Sequence, residues 1–207
     1  MVTERICCNC CAKEYSDVAA GQASGIVMKV TRASLNGVLI LEPRILGDER
    51  GYFLESYNQR TMAEVGIHEH FVQDNHSFSA HNVVRGLHYQ IQRPQGKLVR
   101  VVAGEVLDVA VDLRRNSPTF GRWEAVRLSG QNNRMLWMPA GLAHGFRVVS
   151  NDAHVLYKAT DFYFPEFDRT LAWNDPDLKI DWQLDGEAIV SGKDNLGIPF
   201  RQAEVYE

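Results

Sequence analysis

Outside one short stretch near the N-terminus, this chain of 207 residues has no cysteine. All four lie in Cys7-Cys8-Asn9-Cys10-Cys11, so no disulfide can staple the rest of the chain. No apolar run approaches the roughly 18 residues of a membrane span. The N-terminus lacks the apolar stretch of a secretory signal. Both absences point to a cytoplasmic protein with no membrane partner. Charge of one sign is also scarce: 22 Lys and Arg against 26 Asp and Glu leave a net −4. That balance gives no general attraction to nucleic acid, although it permits a local basic site for a small anion. Helices alternating with strands are missing, and so is a glycine-rich nucleotide loop. A parallel dinucleotide-binding fold is therefore excluded.

Short strand patterns punctuated by turns are what remain. Residues 1–27 read as a poorly ordered N-terminal extension, because Ala19 to Gly25 has small side chains and no period. Its cysteines offer two overlapping Cys-x-x-Cys spacings. A soft-metal or redox site is one reading, and a thiol-rich tail is the better one, since no second ligand pair accompanies them. A single domain, 28–207, follows. Val38–Leu41, Tyr52–Tyr57, Trp123–Leu128, Met135–Met138, Gly145–Val149 and His154–Ala159 are strand candidates. Gln59–Val65 is the best short helix, with Gly66 just past its end. From Lys97 to Leu113 the odd positions are apolar except Lys97 and Glu105, while Arg100, Asp108 and Asp112 are even. This reads as two strands of period two broken near Gly104. Many short strands with frequent turns predict an all-β sandwich or barrel.

Three histidines stand in suggestive settings: His76 in Asp74-Asn75-His76-Ser77, His88 in Arg85-Gly86-Leu87-His88-Tyr89-Gln90, and His144 in Pro139-Ala140-Gly141-Leu142-Ala143-His144. On a regular strand Arg85 and His88 point to opposite faces unless a bulge intervenes. Cupin barrels often bind metal through a His-x-His pair, a Glu and a later Pro-x-Gly-x-x-His. This chain has the second element, but Gln90 stands where the second histidine of the first would be. An amide oxygen suits transition metals poorly, so no metal and no other cofactor is expected.

The segments GDERGYFLESYNQ (47–59), FVQDNHS (71–77), VVRGLHYQ (83–90), WMPAGLAHGF (137–146), LYKATDFYFP (156–165), WNDPDL (173–178) and SGKD (191–194), with the long run 95–123, resemble the dTDP-4-dehydrorhamnose 3,5-epimerase family from about Val38 to Asp194. The resemblance implies a cupin-like jelly-roll barrel, a homodimer with an exchanged N-terminal strand, and a dTDP-4-keto-6-deoxyhexose substrate. It makes His88 the proton-abstracting base, Asp194 its carboxylate partner and Tyr157 the proton donor on the other face of the sugar. Lys97 and Arg85 become cations of the enolate pocket. Arg50, Glu55, Gln73, Asn75, His144 and Lys193 become substrate contacts, with Arg50 serving the neighbouring subunit's site. Tyr163 becomes the aromatic stacked on thymine. Asp168 stands where the family usually has Glu, one methylene shorter.

The residue types suit the implied chemistry. Removing a proton beside a ketone makes an enolate, whose charge must be met by fixed donors. Histidine is the usual base near neutral pH, and a carboxylate on its other nitrogen fixes the tautomer. Inversion then needs a second acid on the opposite wall. Taken singly, the bland alternatives hold: Tyr157 packs in a core, Lys97 lines a solvated edge and Asp194 caps a turn. The competing functions are a C3-only or C5-only epimerase, a metal-dependent cupin enzyme and a sugar-binding cupin without catalysis.

Overall fold

A computed structural model describes residues 28–207. The N-terminal extension and its cysteine cluster lie outside the described residues. The chain runs through β1 (Met28–Arg32), β2 (Leu39–Pro43), β3 (Ile45–Asp48), β4 (Gly51–Leu54), α1 (Gln59–Glu64), β5 (Gln73–Ala80), β6 (Val83–Gln90) and β7 (Lys97–Asp112). It continues with β8 (Trp123–Ser129), β9 (Met135–Met138), β10 (Leu142–Ala159), β11 (Asp168–Thr170), β12 (Ile189–Val190) and α2 (Gly192–Asn195). Among the described residues no helix is long and apolar enough to cross a membrane.

Two long strands organise the barrel. β7 and β10 pair antiparallel from Lys97↔Ala159 to Asp112↔Leu142, with register breaks at Val148/Ala153 and His154/Val155. On one side of those breaks β7 carries β9, β2 and β1, while β10 carries β5. On the other side β7 carries β8, and β10 carries β6 and β11. The long strands thus belong to two sheets that fold over one another as a jelly roll. Val99, Val101, Val106, Ala110, Leu136, Phe146, Val148 and Val155 fill the space between them. Each of the buried valine, leucine and phenylalanine side chains among them contributes about 1.5–3 kcal/mol of transfer free energy.

The outer faces are covered too, which changes the reading of β7. Val99 and Val101 face the inner core, but beyond Gly104 the inner positions are Val106 and Ala110. Leu107, Val109 and Val111 instead pack outward against Leu171, Leu178 and Trp182 of the C-terminal segment. The expected pair of strands is one strand whose parity flips at the break. The same correction applies to Gly145–Val149 and His154–Ala159, which are parts of β10. On the other outer face, Met62 and Ile67 at α1 pack on Leu41, Leu98, Met135 and Trp137. The helix closes as its sequence predicts, with Gly66 at φ 91°, and the Asn58 side chain caps its start at Arg60 N.

Candidate active site

The polar residues gather at one end of the barrel interior because the inward positions of five strands converge there. β5 turns Gln73, Asn75, Ser77 and Ser79 inward, since each lies two residues from the next. Asn75 is directly opposite Tyr157, and Tyr157 is opposite Val99 of the inner core. Lys97 lies two residues before Val99 and is only 9% exposed. His144 lies two residues before Phe146 of the same core, and its Cα is paired with that of His88.

The pairing of β6 with β10 contains the bulge on which the site depends. His88 pairs with His144, but Arg85 pairs with Phe146, so β6 uses three steps where β10 uses two. The extra residue brings Arg85 and His88 to one face. It falls at Gly86, whose φ is 112° and where a Cβ would lie 2.6 Å from both Gly145 Cα and His144 O. Only glycine fits so close an approach. Arg85 is braced inward, with Nε donating to Ser79 Oγ at 2.8 Å.

β12 runs parallel to β6 beside Val83 and Val84. The chain then enters α2, where the Ser191 side chain caps Asp194 N. This lays the Asp194 carboxylate under the bulge. Its Oδ1 is 2.6 Å from His88 Nε2, and its Oδ2 accepts from Gly86 N at 3.3 Å. Burial pushes this carboxyl up, but the His88 ring and the Gly86 N–H outweigh it and hold the group below the ordinary carboxylate range. His88 stays about one-third exposed while Asp194 is buried. With Nε2 committed to Asp194, Nδ1 is the nitrogen available to take a proton.

Opposite this dyad the environment is drier. Burial lowers the Lys97 ammonium to about 8, against the opposing attraction of Asp108 and Asp168. Its Nζ lies 5.8 Å from the centre of the Tyr157 ring. Burial raises the Tyr157 phenol, with Arg85 acting the other way. The His144 ring meets Tyr157 edge-on at 6.4 Å, and its Nε2 lies 3.0 Å from both oxygens of fully buried Asp108. His144 is lowered, chiefly by burial.

A third group forms the rim. Gln73 donates to Asn75 Oδ1 at 3.0 Å and accepts from Tyr163 N at 3.0 Å. The Tyr163 hydroxyl donates to Asp168 Oδ2 at 3.0 Å, and Lys193 binds the same oxygen. Tyr163 and Phe162 are more than half exposed. Gln90 clamps this rim: its amide nitrogen donates to Arg93 O and Phe162 O, and its oxygen accepts from Phe164 N. The amide that stands in place of a metal ligand is therefore already spent on the loop. No cluster of three or more metal-ligating side chains occurs among the described residues.

With this geometry in hand, the family can be assigned. The sequence profile described as dTDP-4-dehydrorhamnose 3,5-epimerase matches residues 32–202. The chain belongs to that family. A dTDP-4-dehydrorhamnose 3,5-epimerase of Pseudomonas aeruginosa is 57% identical over 180 residues, covering 86% of this chain and 99% of its own. The crystal structure of the Legionella pneumophila dTDP-6-deoxy-D-glucose-3,5-epimerase in complex with dTDP-4-keto-L-rhamnose superposes with a TM-score of 0.83 at 48% identity, covering 86% of this chain and 95% of that one. A 3'-monoepimerase from Streptomyces bikiniensis, in complex with dTDP-quinovose, has a TM-score of 0.77 at 32% identity, covering 82% and 86%.

Within this dTDP-4-dehydrorhamnose 3,5-epimerase family member, eleven of the thirteen sequence-selected residues meet at the barrel mouth: His88, Tyr157, Asp194, Lys97, Gln73, Asn75, Arg85, His144, Tyr163, Asp168 and Lys193. Arg50 and Glu55 do not join them. Arg50 sits on the exposed β3–β4 hairpin, paired with Asp48. Glu55 is used locally, accepting from Asn58 at 3.0 Å and from Thr61 at 3.2 Å. Asp168, despite its shorter side chain, reaches both Tyr163 and Lys193. Sequence reasoning missed Asp108, Ser79 and Gln90 as supports. Asp108 showed only as a polar position of an alternating run, and Gln90 only in place of a metal ligand.

Proposed function

We infer that this chain is a dTDP-4-dehydrorhamnose 3,5-epimerase, inverting C3 and C5 of dTDP-4-dehydro-6-deoxyglucose. One observation carries the reading: a His–Asp dyad lies at a barrel end that also holds a buried lysine and a buried tyrosine. His88 Nδ1 takes the proton beside the C4 ketone, and Asp194 stabilises the imidazolium that forms. Lys97 and Arg85 meet the negative charge on the ketone oxygen. The lysine remains mostly ionised near neutral pH, and its dry surroundings strengthen that contact. Tyr157, kept protonated by burial, returns a proton from the opposite face. Base and acid each contribute about 10²–10⁴-fold. The rim of Tyr163, Asp168 and Lys193 receives the nucleotide, with the exposed tyrosine ring as a stacking platform. Gln73, Asn75 and His144 contact the sugar. Arg50 and Glu55, on the outlying hairpin segment, serve the partner subunit of a homodimer. Such a nucleotide-sugar enzyme acts in the cytoplasm.

The test is proton exchange in D₂O with dTDP-4-keto-6-deoxyglucose, read by NMR. Deuterium is expected at both C3 and C5 without added metal. Label at one carbon would make the chain a single-carbon epimerase. The fold accommodates either outcome, since the Streptomyces bikiniensis monoepimerase shares it, but the higher identity to 3,5-epimerases favours two. Absence of label at both carbons would refute the assignment.

A further inference from the structure

The buried Asp108 has no part in the steps above, although its side chain is fully enclosed and both its oxygens are directed at His144 Nε2. Two oxygens at 3.0 Å from one ring nitrogen require that nitrogen to carry the proton. Nδ1 of the same ring has no hydrogen-bond partner among the described residues. It is not sealed from solvent either, because the Ser77 hydroxyl is the one fully enclosed side-chain atom there without a partner. His144 lies between the two reacting walls: it is paired with His88 across the sheet and edge-on to Tyr157.

Resting on the epimerase reading, we propose that Asp108 is a positioning residue with two effects. Its carboxylate fixes the proton of the His144 ring at Nε2, while burial keeps that ring neutral against the pull of the carboxylate, so that Nδ1 is an acceptor for a hydroxyl of the hexose. Its charge also keeps the enclosed Lys97 ammonium ionised. The pocket then has an acceptor on one wall and cations elsewhere. A ketone oxygen, which only accepts, is repelled by Nδ1 and drawn to Lys97 and Arg85. A hydroxyl, which donates, is welcome at Nδ1. The pair thereby orients the sugar as well as supporting its charge. The groups acting on Lys97 are Asp108 on its own strand, His144 and Tyr157 on β10, and Asp168 on β11. Asp108 and Asp168 are the carboxylates among them, so loss of one is felt.

Two measurements on the full chain test this. In ¹⁵N NMR of the wild type, His144 should keep a bare Nδ1 and a protonated Nε2 from about pH 7 to about pH 9. A proton on Nδ1 in that range would overturn the proposal, and this reading needs no variant and no activity. The second compares pH profiles of C–H exchange. Asp108→Asn preserves a hydrogen-bond acceptor but removes the charge. It should move the alkaline limb about one unit toward acid while dTDP affinity stays unchanged, and Asp108→Glu should restore the limb. An unmoved limb in Asp108→Asn would refute the electrostatic role. Failure of the wild type to exchange either proton would instead sink the epimerase reading, leaving the tautomer result intact.

Discussion

Replacing Lys97 by Met should make the protein more stable and nearly inactive. The lysine is 9% exposed, and burial lowers its ammonium from 10.5 to about 8. A drop of that size corresponds to roughly 3 kcal/mol, at about 1.4 kcal/mol per unit. The sign follows from linkage. The folded state holds the proton less tightly than the unfolded chain, so the penalty is complete below about 8. It is relieved as pH rises from there to 10.5, where both states become neutral. Met has similar length and no charge, and Asp108 keeps His144 as its partner. Imperfect packing subtracts from the gain, so about 1–3 kcal/mol should remain near pH 7. For a chain of this size that is a rise in Tm of about 3–10 °C. Exchange should fall about 10²–10³-fold, the usual loss for one stabilising donor. Thermal unfolding by circular dichroism near pH 7 and near pH 10 provides the assay. The reasoning is refuted if Lys97→Met melts at or below the wild-type temperature near neutrality. It is equally refuted if the gap does not narrow as pH rises.

Asp194→Asn should lower exchange at both carbons about 10²–10⁴-fold with dTDP binding retained. It should also remove a contribution to stability that is present above the ordinary carboxylate range and lost as pH falls through the lowered value, visible in acid unfolding. Tyr157→Phe should slow product formation more than washout of the substrate proton, and equal losses measured by NMR in D₂O would assign the donor elsewhere. Gly86→Ala should destabilise the fold by about 1–3 kcal/mol or more and abolish exchange, because its Cβ would lie 2.6 Å from β10 backbone atoms. A melting curve like that of the wild type would show that the bulge is adaptable.

What could be read from the chain was local. Met135–Met138 and Trp123–Leu128 show as strands through composition, and α1 through its helix-forming residues and its closing glycine. The site histidines and carboxylates were legible only as long motifs, since no single residue among them excludes a structural role. The break near Gly104 was legible as a place, but the reversal of parity within one continuous strand was not, nor was the bulge at Gly86. At Gly104 a Cβ would meet Asp152 O at 2.0 Å, so the break is imposed by the approach of β10, some fifty residues away in sequence. Gly86 is the same case: period-two reasoning separates Arg85 from His88, and the partner strand brings them together. Asp108 escaped notice because an inward carboxylate looks like the polar half of an ordinary alternation until the other sheet is seen to enclose it. Gln90 was weighed as a failed metal ligand, when Arg93 O close by and two backbone groups of a distant loop already occupy its amide.

β7 and β10 contribute Lys97, Asp108, His144 and Tyr157 from two adjoining strands bonded rung by rung for most of their length. The ladder ties them in two pairs, Lys97 with Tyr157 on one side of the register breaks and Asp108 with His144 on the other. To offer a second carbon to the one imidazole on β6, the hexose itself has to pivot between these backbone-tied pairs.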